Sequence, residues 1–233
     1  MKKIIIIAIV FMFFLSCKTS GNITLANNDS GTFFLDTEMT DNLYKTMTAF
    51  GDIDESGYLF SSDLVKSFFT QAGLSLSSVI MKDPQEIAFT GTTNDITKVL
   101  EIDNQPVTLT KNVEGKKFRL LLDENTIMTF MSLLSEESLM YIDLLQAPLF
   151  SREEMTAEEY EEFIAALYGK TLSNDLKNTY VNLVINIPKS SIGVSVYPEN
   201  LAVVEKNAKN IVFNIKLSEL LANHTEAYFE VLW

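Results

Sequence analysis

The sequence predicts an α+β fold in which helices pack on one face of a largely antiparallel sheet. Two short apolar-alternating segments near the start and several near the end have the period of β-strands. Turn residues join neighbouring strand segments closely, as is typical of antiparallel hairpins. Between the two groups of strands, residues 123–178 change to the period of a helix. This order of strands and helices indicates an α+β domain rather than a parallel α/β sheet.

The first 16 residues have the pattern of a secretory signal. Two lysines precede an apolar run over residues 4–15, and Ser16 and Cys17 follow it. A transmembrane helix needs about 20 apolar residues, so a retained membrane span is the less favoured alternative. We therefore expect residues 1–16 to be removed. The formal net charge then falls from −13 to −15, because that segment holds two lysines and no acidic residue.

The end of the apolar run resembles the lipobox of bacterial lipoproteins. The motif here is Leu15-Ser16-Cys17, and it is similar to the relaxed form of spirochaete-type lipoproteins, because Phe14 and Leu15 replace the usual Leu and Ala or Ser. The resemblance implies a diacylglycerol and fatty acids such as palmitate on Cys17, and so an anchor in a membrane of the cell envelope. Residues 17–21 would be the lipidated tether. Cys17 is the only cysteine, which excludes a disulfide framework.

Residues 22–233 are expected to form one domain with 123–178 as its helical segment. The chain is 47% hydrophobic with 16 Phe, enough for a substantial core. The predicted strands are 22–26, 32–36, 74–81, 86–91, two within 106–123 around a turn at Glu114-Gly115, 179–188, 192–198, 210–217 and 227–233. Helices are predicted at 40–50, after a cap at Ser61 or Ser62, and within 92–100 after a cap at Thr93 or Asn94. Further helices are predicted in 123–178, with stops at Pro148 and Gly169, and a helical turn is predicted at 218–223.

The domain also resembles, more faintly, the folded part of LppM-like envelope lipoproteins. The resemblance is one of element order over about residues 22–233, carried by the segments NNDSGTFFLDTEM, FTGTTNDITKVL and IKLSELLANHTEAYFEVLW. It implies an α+β fold and a role in the cell envelope. It brings no active site with it.

Composition and motifs argue against catalysis and against nucleic acid. A strongly acidic domain repels phosphate backbones. His224 is the only histidine, which rules out a two-histidine zinc motif, and we expect it in an exposed turn. Four glutamates gather on one side of a predicted helix, and such a row is typical of a solvated face: Glu154, Glu158, Glu161 and Glu162. The sequence therefore predicts a protein that is not an enzyme.

The segment DIDESGYLFSSD, residues 52–63, nearly matches the EF-hand calcium loop. Oxygen ligands would come from Asp52, Asp54, Ser56, the Tyr58 carbonyl and Asp63, with Gly57 at the sharp turn. Phe60 offers no side-chain oxygen at the ninth place, and the twelfth is Asp instead of Glu. The other interpretation is an acidic connection between two helices, in which Gly57 makes the turn and a serine caps the second helix.

A methionine-rich face in the helical segment is the clearest hint of a binding surface. It consists of Met128, Phe130, Met131 and Met140, which could line a groove for a lipid or peptide or could pack in the core. Together these features predict an envelope lipoprotein held to the membrane through the lipid on Cys17. Its domain is expected to be non-catalytic and to bind a protein or lipid ligand without a cofactor. The alternative is a Ca²⁺-responsive module using residues 52–63.

Overall fold

The structure is a computed structural model that describes residues 18–50, 66, 70, 74–99, 107–125, 127 and 145–233, with the side chains of 47–50 left out. Strands alternate with helices along these residues, and the strands form two sheets. Within the described ranges, no helix combines the length and the apolar character needed to cross a membrane.

The larger sheet has seven strands in the order β3-β4-β2-β1-β7-β10-β9. Neighbours run antiparallel except β1 and β7, which are parallel. Alternation of apolar and polar residues gives the inner strands one buried face, as in β10, where Ile211, Phe213 and Ile215 are buried. The strands are β1 Lys18–Leu25, β2 Gly31–Glu38, β3 Ser75–Asp83, β4 Glu86–Thr93, β7 Tyr180–Asn186, β9 Ala202–Lys206 and β10 Asn210–Lys216.

The smaller sheet is antiparallel, with the order β5-β6-β11-β8. Its strands are β5 Val107–Lys111, β6 Lys116–Leu122, β8 Gly193–Tyr197 and β11 Ala227–Leu232. The turn between β5 and β6 needs glycine at position 115. A Cβ there would lie 2.4 Å from the carbonyl oxygen of Trp233, and φ is +152°.

Helices complete the core. They are α1 Asp41–Phe50, a 3₁₀ turn Ile96–Lys98, α2 Pro148–Ser151, α3 Ala157–Tyr168, α4 Lys170–Asn178 and α5 Leu217–Ala222. α3 begins with a capping box, because Thr156 accepts from the Glu159 backbone N–H and Glu159 accepts from that of Thr156. α3 and α4 pack on each other, and both contact α5.

One cluster of buried apolar residues joins both sheets and the helices. The rings of Phe213 in β10 and Phe229 in β11 meet edge to face with centroids 5.3 Å apart, so the inner faces of the two sheets are in contact. Tyr160 and Ile164 of α3 and Leu220 of α5 are fully buried in the same cluster. The helical elements therefore share their core with the sheets.

The α+β class predicted from the sequence is confirmed, with differences in detail. The strands divide into two sheets instead of one, and β9 was not predicted. Leu145 is helical and Ala147 is not, so a helical segment ends just before Pro148 as expected, and Pro148 also begins α2. The 3₁₀ turn is capped by Asp95, whose carboxylate accepts from the Thr97 backbone, and not by Thr93 or Asn94.

The start of β1 differs most from expectation. Residues 18–21, predicted as tether, are strand residues paired with β2 and, from Thr19 onward, with β7. Thr19 is buried, and its hydroxyl lies 3.0 Å from that of Thr37. Pairing on both sides holds these residues in the sheet.

Candidate functional site

A groove of about 380 Å³ opens on the outer face of the seven-stranded sheet, at the end where β1 begins. β1 runs along its middle with Lys18 and Ser20. One side, here called the carboxylate wall, consists of Asp36, Glu38 and Glu86. The opposite side, here called the neutral wall, consists of Asn178, Thr179, Tyr180 and Asn182.

Strand period and register put these side chains together. In β1, Lys18 and Ser20 are exposed, while Thr19 and Gly21 at the alternate positions are buried. Ser20 is opposite Asp36 of β2 on one side and Asn182 of β7 on the other. Because directly paired residues point to the same face, the three side chains line one surface.

Each side chain of the carboxylate wall forms a salt bridge with a lysine. The Lys18 ammonium, 71% exposed, donates to Glu38 at 3.0 Å. Lys82 donates to Asp36 at 2.9 Å and also to Glu86, and these hydrogen bonds raise the pKa of Lys82. Among the described residues, each of these three carboxylates thus accepts from a lysine. Ion pairs this exposed contribute little to stability, so they leave the wall open to a competing ligand.

Two side chains of the neutral wall and the neighbouring Ser20 have donor and acceptor atoms that make no hydrogen bond to a described residue. In the part of the chain that the structure describes, no protein hydrogen bond engages the side chains of Ser20, Tyr180 or Asn182. Tyr180 is 48% exposed. A hydroxyl, a phenol and an amide are therefore available to a ligand in the groove.

Farther along the same face, similar side chains satisfy one another. The Asn186 amide donates to Asn22 at 2.8 Å and to Thr24 at 3.3 Å, and the Asn210 amide donates to Asn186 at 2.8 Å. This network closes on itself across β1, β7 and β10. The contrast between the two ends of the face marks the groove as the place suited to a ligand.

A second polar cluster lies inside the protein, around Glu161. Its carboxylate accepts from Lys216 at 2.8 Å, from Ser218 at 2.7 Å and from Lys177 at 3.0 Å. Glu161 is 5% exposed, so the predicted solvated face was wrong for this glutamate. The cluster ties α3 to α4, β10 and α5, and its carboxylate is fully occupied by protein partners. It is a structural site.

Several predicted site residues lie outside the described residues. They are the lipidation residue Cys17, the loop 52–63 with Asp52, Asp54, Ser56, Tyr58 and Asp63, and the face formed by Met128, Phe130, Met131 and Met140. His224 is described: it lies between α5 and β11, partly buried instead of exposed. Across the described ranges, no group of three or more His, Cys, Asp or Glu side chains is placed to hold a metal ion.

Sequence reasoning missed the groove. Polar residues at alternate positions of β1 and β7 marked an outward face, but the pairing of β1 with β7 had no local signal. Without that pairing, Ser20 and Asn182 could not be placed side by side.

Comparisons with known proteins give one weak likeness. No family model matches the chain, and no curated protein matches it. The NMR structure of the folded domain of LppM from Mycobacterium tuberculosis is similar, with a TM-score of 0.41 and 8% sequence identity over 93% of this chain and 89% of that chain. The LppM-like resemblance of the sequence thus has a weak structural counterpart. A TM-score at this level supports no conclusion about ligand or activity.

Proposed function

We propose that the chain is an envelope lipoprotein, anchored through a lipid on Cys17, whose non-catalytic domain binds a ligand in the groove beside the anchor. The observation that carries this proposal is the start of β1 at Lys18, the residue after Cys17. Cys17 directly precedes Lys18 in the sequence, and consecutive Cα atoms are about 3.8 Å apart, so a lipid on Cys17 would be attached next to a residue that lines the groove. A lipid on Cys17 then keeps the groove at the membrane surface.

The chemistry of the groove favours binding over turnover. Each carboxylate of its wall accepts a hydrogen bond from a lysine, so none of the three is poised as a general base. The only histidine, His224, does not line the groove. What the groove offers is a set of hydrogen-bond donors and acceptors with charges of both signs.

Lipidation is tested by metabolic labelling with a palmitate analogue followed by membrane fractionation. The wild-type chain and Ser16→Ala, which keeps a small residue before the cysteine, should carry the label and remain in the membrane fraction. Cys17→Ala should lose the label and leave that fraction. Label and membrane retention that survive in Cys17→Ala would show the proposal to be wrong.

A Ca²⁺-responsive module is the second candidate. The observation in its favour is that helical residues stand on both sides of the loop 52–63. α1 ends at Phe50, while Lys66 and Thr70 are helical, with the Thr70 hydroxyl donating to the Lys66 carbonyl at 2.8 Å. An EF-hand needs a helix before and after its loop.

The Ca²⁺ candidate is tested by thermal unfolding in millimolar Ca²⁺ and in chelator, since extracellular sites bind at about 10⁻⁴–10⁻³ M. Ca²⁺ should raise the Tm of the wild type and of the exposed-acid control Glu199→Ala, but not that of Asp52→Ala. Equal Tm values for the wild type in Ca²⁺ and chelator rule this candidate out.

A further inference from the structure

We propose that the groove end of the seven-stranded sheet sits directly in the phospholipid headgroup layer of the anchoring membrane. This inference rests on the lipid anchor at Cys17 proposed above. The surface concerned, here called the anchored edge, is the row of residues at which strands of this sheet begin or end beside the start of β1: Asp83, Glu86, Glu38, Lys18, Tyr180 and Lys216. Its partner is the headgroup layer itself.

The segment that the sequence predicted as a tether is built into β1. Each residue from Lys18 to Gly21 is paired with β2, and from Thr19 onward the same residues are also paired with β7. Pulling them out of the sheet would break backbone hydrogen bonds on both sides and expose the buried Thr19. One peptide bond therefore separates the lipidated residue from the folded domain.

This short connection holds the anchored edge against the membrane. Consecutive Cα atoms are about 3.8 Å apart, and neighbouring strands are about 4.8 Å apart. Lys18 and its neighbours in the sheet, Glu38 and Tyr180, therefore have their Cα atoms within about 10 Å of that of Cys17. A diacylglycerol holds the Cys17 sulfur at the boundary of the hydrocarbon, and the headgroup layer above it is roughly 5–8 Å thick. Residues this close to the anchor must contact headgroups.

The place of β1 in the sheet centres this contact. Three described strands lie on each side of β1, so the anchor is attached at the middle of the edge. Thr24 of β1 pairs with Thr32 of β2 at the other end of the same face, about 20 Å farther along the strands. The anchored edge thus faces the membrane, and the opposite end of the sheet faces away from it.

The side chains of the anchored edge suit the boundary between water and lipid. Tyr180, in the strand beside β1, is 48% exposed, and tyrosine is enriched at headgroup level because its ring is apolar while its hydroxyl reaches water. Charges of both signs are present and form pairs such as Lys18 with Glu38. The contact therefore depends on the anchor and on the tyrosine, and not on attraction to a charged lipid.

The experiment measures the depth of a nitroxide label on the full-length lipoprotein in phosphatidylcholine vesicles. Tyr180→Cys and Asn178→Cys place the label beside the anchor, and Thr32→Cys places it at the far end of the sheet, all at exposed positions. Cys17 is the only native cysteine and its sulfur carries the lipid, so each variant has one reactive thiol. Power saturation then gives the accessibility of the label to a water-soluble nickel chelate.

A matched linker variant supplies the distance that the natural chain lacks. It has about 12 glycine and serine residues inserted between Cys17 and Lys18, which span about 19 Å as a random coil. At positions 178 and 180, accessibility should be at least about threefold lower in the natural chain than in the linker variant, because headgroups exclude the chelate. At position 32, about 20 Å away, it should differ by less than about a third.

The possible outcomes separate this inference from the proposed function. A chain that carries the lipid label and stays on the vesicles, but whose accessibility at positions 178 and 180 is the same with and without the insertion, overturns this inference alone. Shielding at position 32 as strong as at position 180 also overturns it, because the outer face would then lie flat on the membrane. A chain without lipid on Cys17 overturns the lipoprotein function and the anchored edge together.

Discussion

At the scale of single residues, Glu161 is a charge that the fold can bury only because its partners are fixed. Burial alone would raise the pKa of Glu161, but hydrogen bonds from Lys216, Ser218 and Lys177 outweigh it and hold the pKa below its ordinary value of 4.5. The partners come from α4, from β10 and from α5. Removing the carboxylate leaves two lysines without their acceptor.

We expect Glu161→Ala to lower the free energy of unfolding by about 2 kcal/mol. This is less than the 3–5 kcal/mol typical of a broken buried pair, because both lysine side chains reach solvent. Chemical denaturation measures the change. Glu162→Ala, at an exposed position beside it, should change stability little, and equal losses in the two variants would contradict the structural role.

The pH dependence of this contribution follows from the sign of the pKa shift. A carboxyl whose pKa is lowered by folding stabilises the native state fully above its unfolded pKa of about 4.5. That stabilisation is lost as the pH falls through the lower folded pKa. The stability difference between wild type and Glu161→Ala should therefore be constant from pH 6 to 7 and shrink below about pH 4.5, as measured by denaturation at each pH.

At the scale of elements, local signals predicted most of the described strands and helices but missed β9 and α2. Alternation predicted β1, β2, β7, β10 and β11, and Gly169 ends α3 as expected. β9 was not predicted because its apolar run is only four residues long, Leu201 to Val204, before Glu205 and Lys206. The expected helix stop before Pro148 is present after Leu145, but the short helix that Pro148 begins was not predicted. The groove and the Glu161 cluster depend on contacts between distant segments, such as Lys216 with Glu161, for which one sequence has no local signal.

The capping box of α3 gives a prediction at this scale. Thr156→Ala removes the side-chain oxygen that accepts from the Glu159 backbone, and should cost about 1 kcal/mol of stability. Thr171→Ala, at an exposed position in the first turn of α4, serves as the control and should cost less, since alanine favours a helix. Thermal or chemical unfolding compares the two. A Thr156→Ala protein as stable as Thr171→Ala would mean that the cap contributes nothing.

At the scale of the whole molecule, the two sheets and the helices depend on one core. The turn between β1 and β2 adds a polar link, because Asp29 accepts from Lys116 of β6 and from Lys111 of β5, at 2.5 and 2.8 Å. The hydrogen bonds from these lysines lower the pKa of Asp29. The apolar contact between Phe213 and Phe229 and these two ion pairs of Asp29 together hold the sheets against each other.

A shared core predicts a single cooperative unfolding transition. Phe213→Ala should lower the free energy of unfolding by about 3–5 kcal/mol, because it opens a cavity between the sheets. Far-ultraviolet circular dichroism and tyrosine fluorescence should still give coincident transitions. Val212→Ala, on the outer face of the same strand, should cost much less. Two separated transitions in the Phe213 variant would show that the sheets unfold independently.

The position of β1 also bears on when the protein can fold. β1 is the central strand of the seven-stranded sheet, and its parallel partner β7 begins only at Tyr180. Thr19 therefore cannot pair with Val181 until the chain has been made beyond that residue. β1 precedes the other described strands along the chain, so it remains paired on one side only until most of the chain has been synthesised. Contacts this distant in sequence slow folding. The seven-stranded sheet is therefore completed only after β7, β9 and β10 have been synthesised.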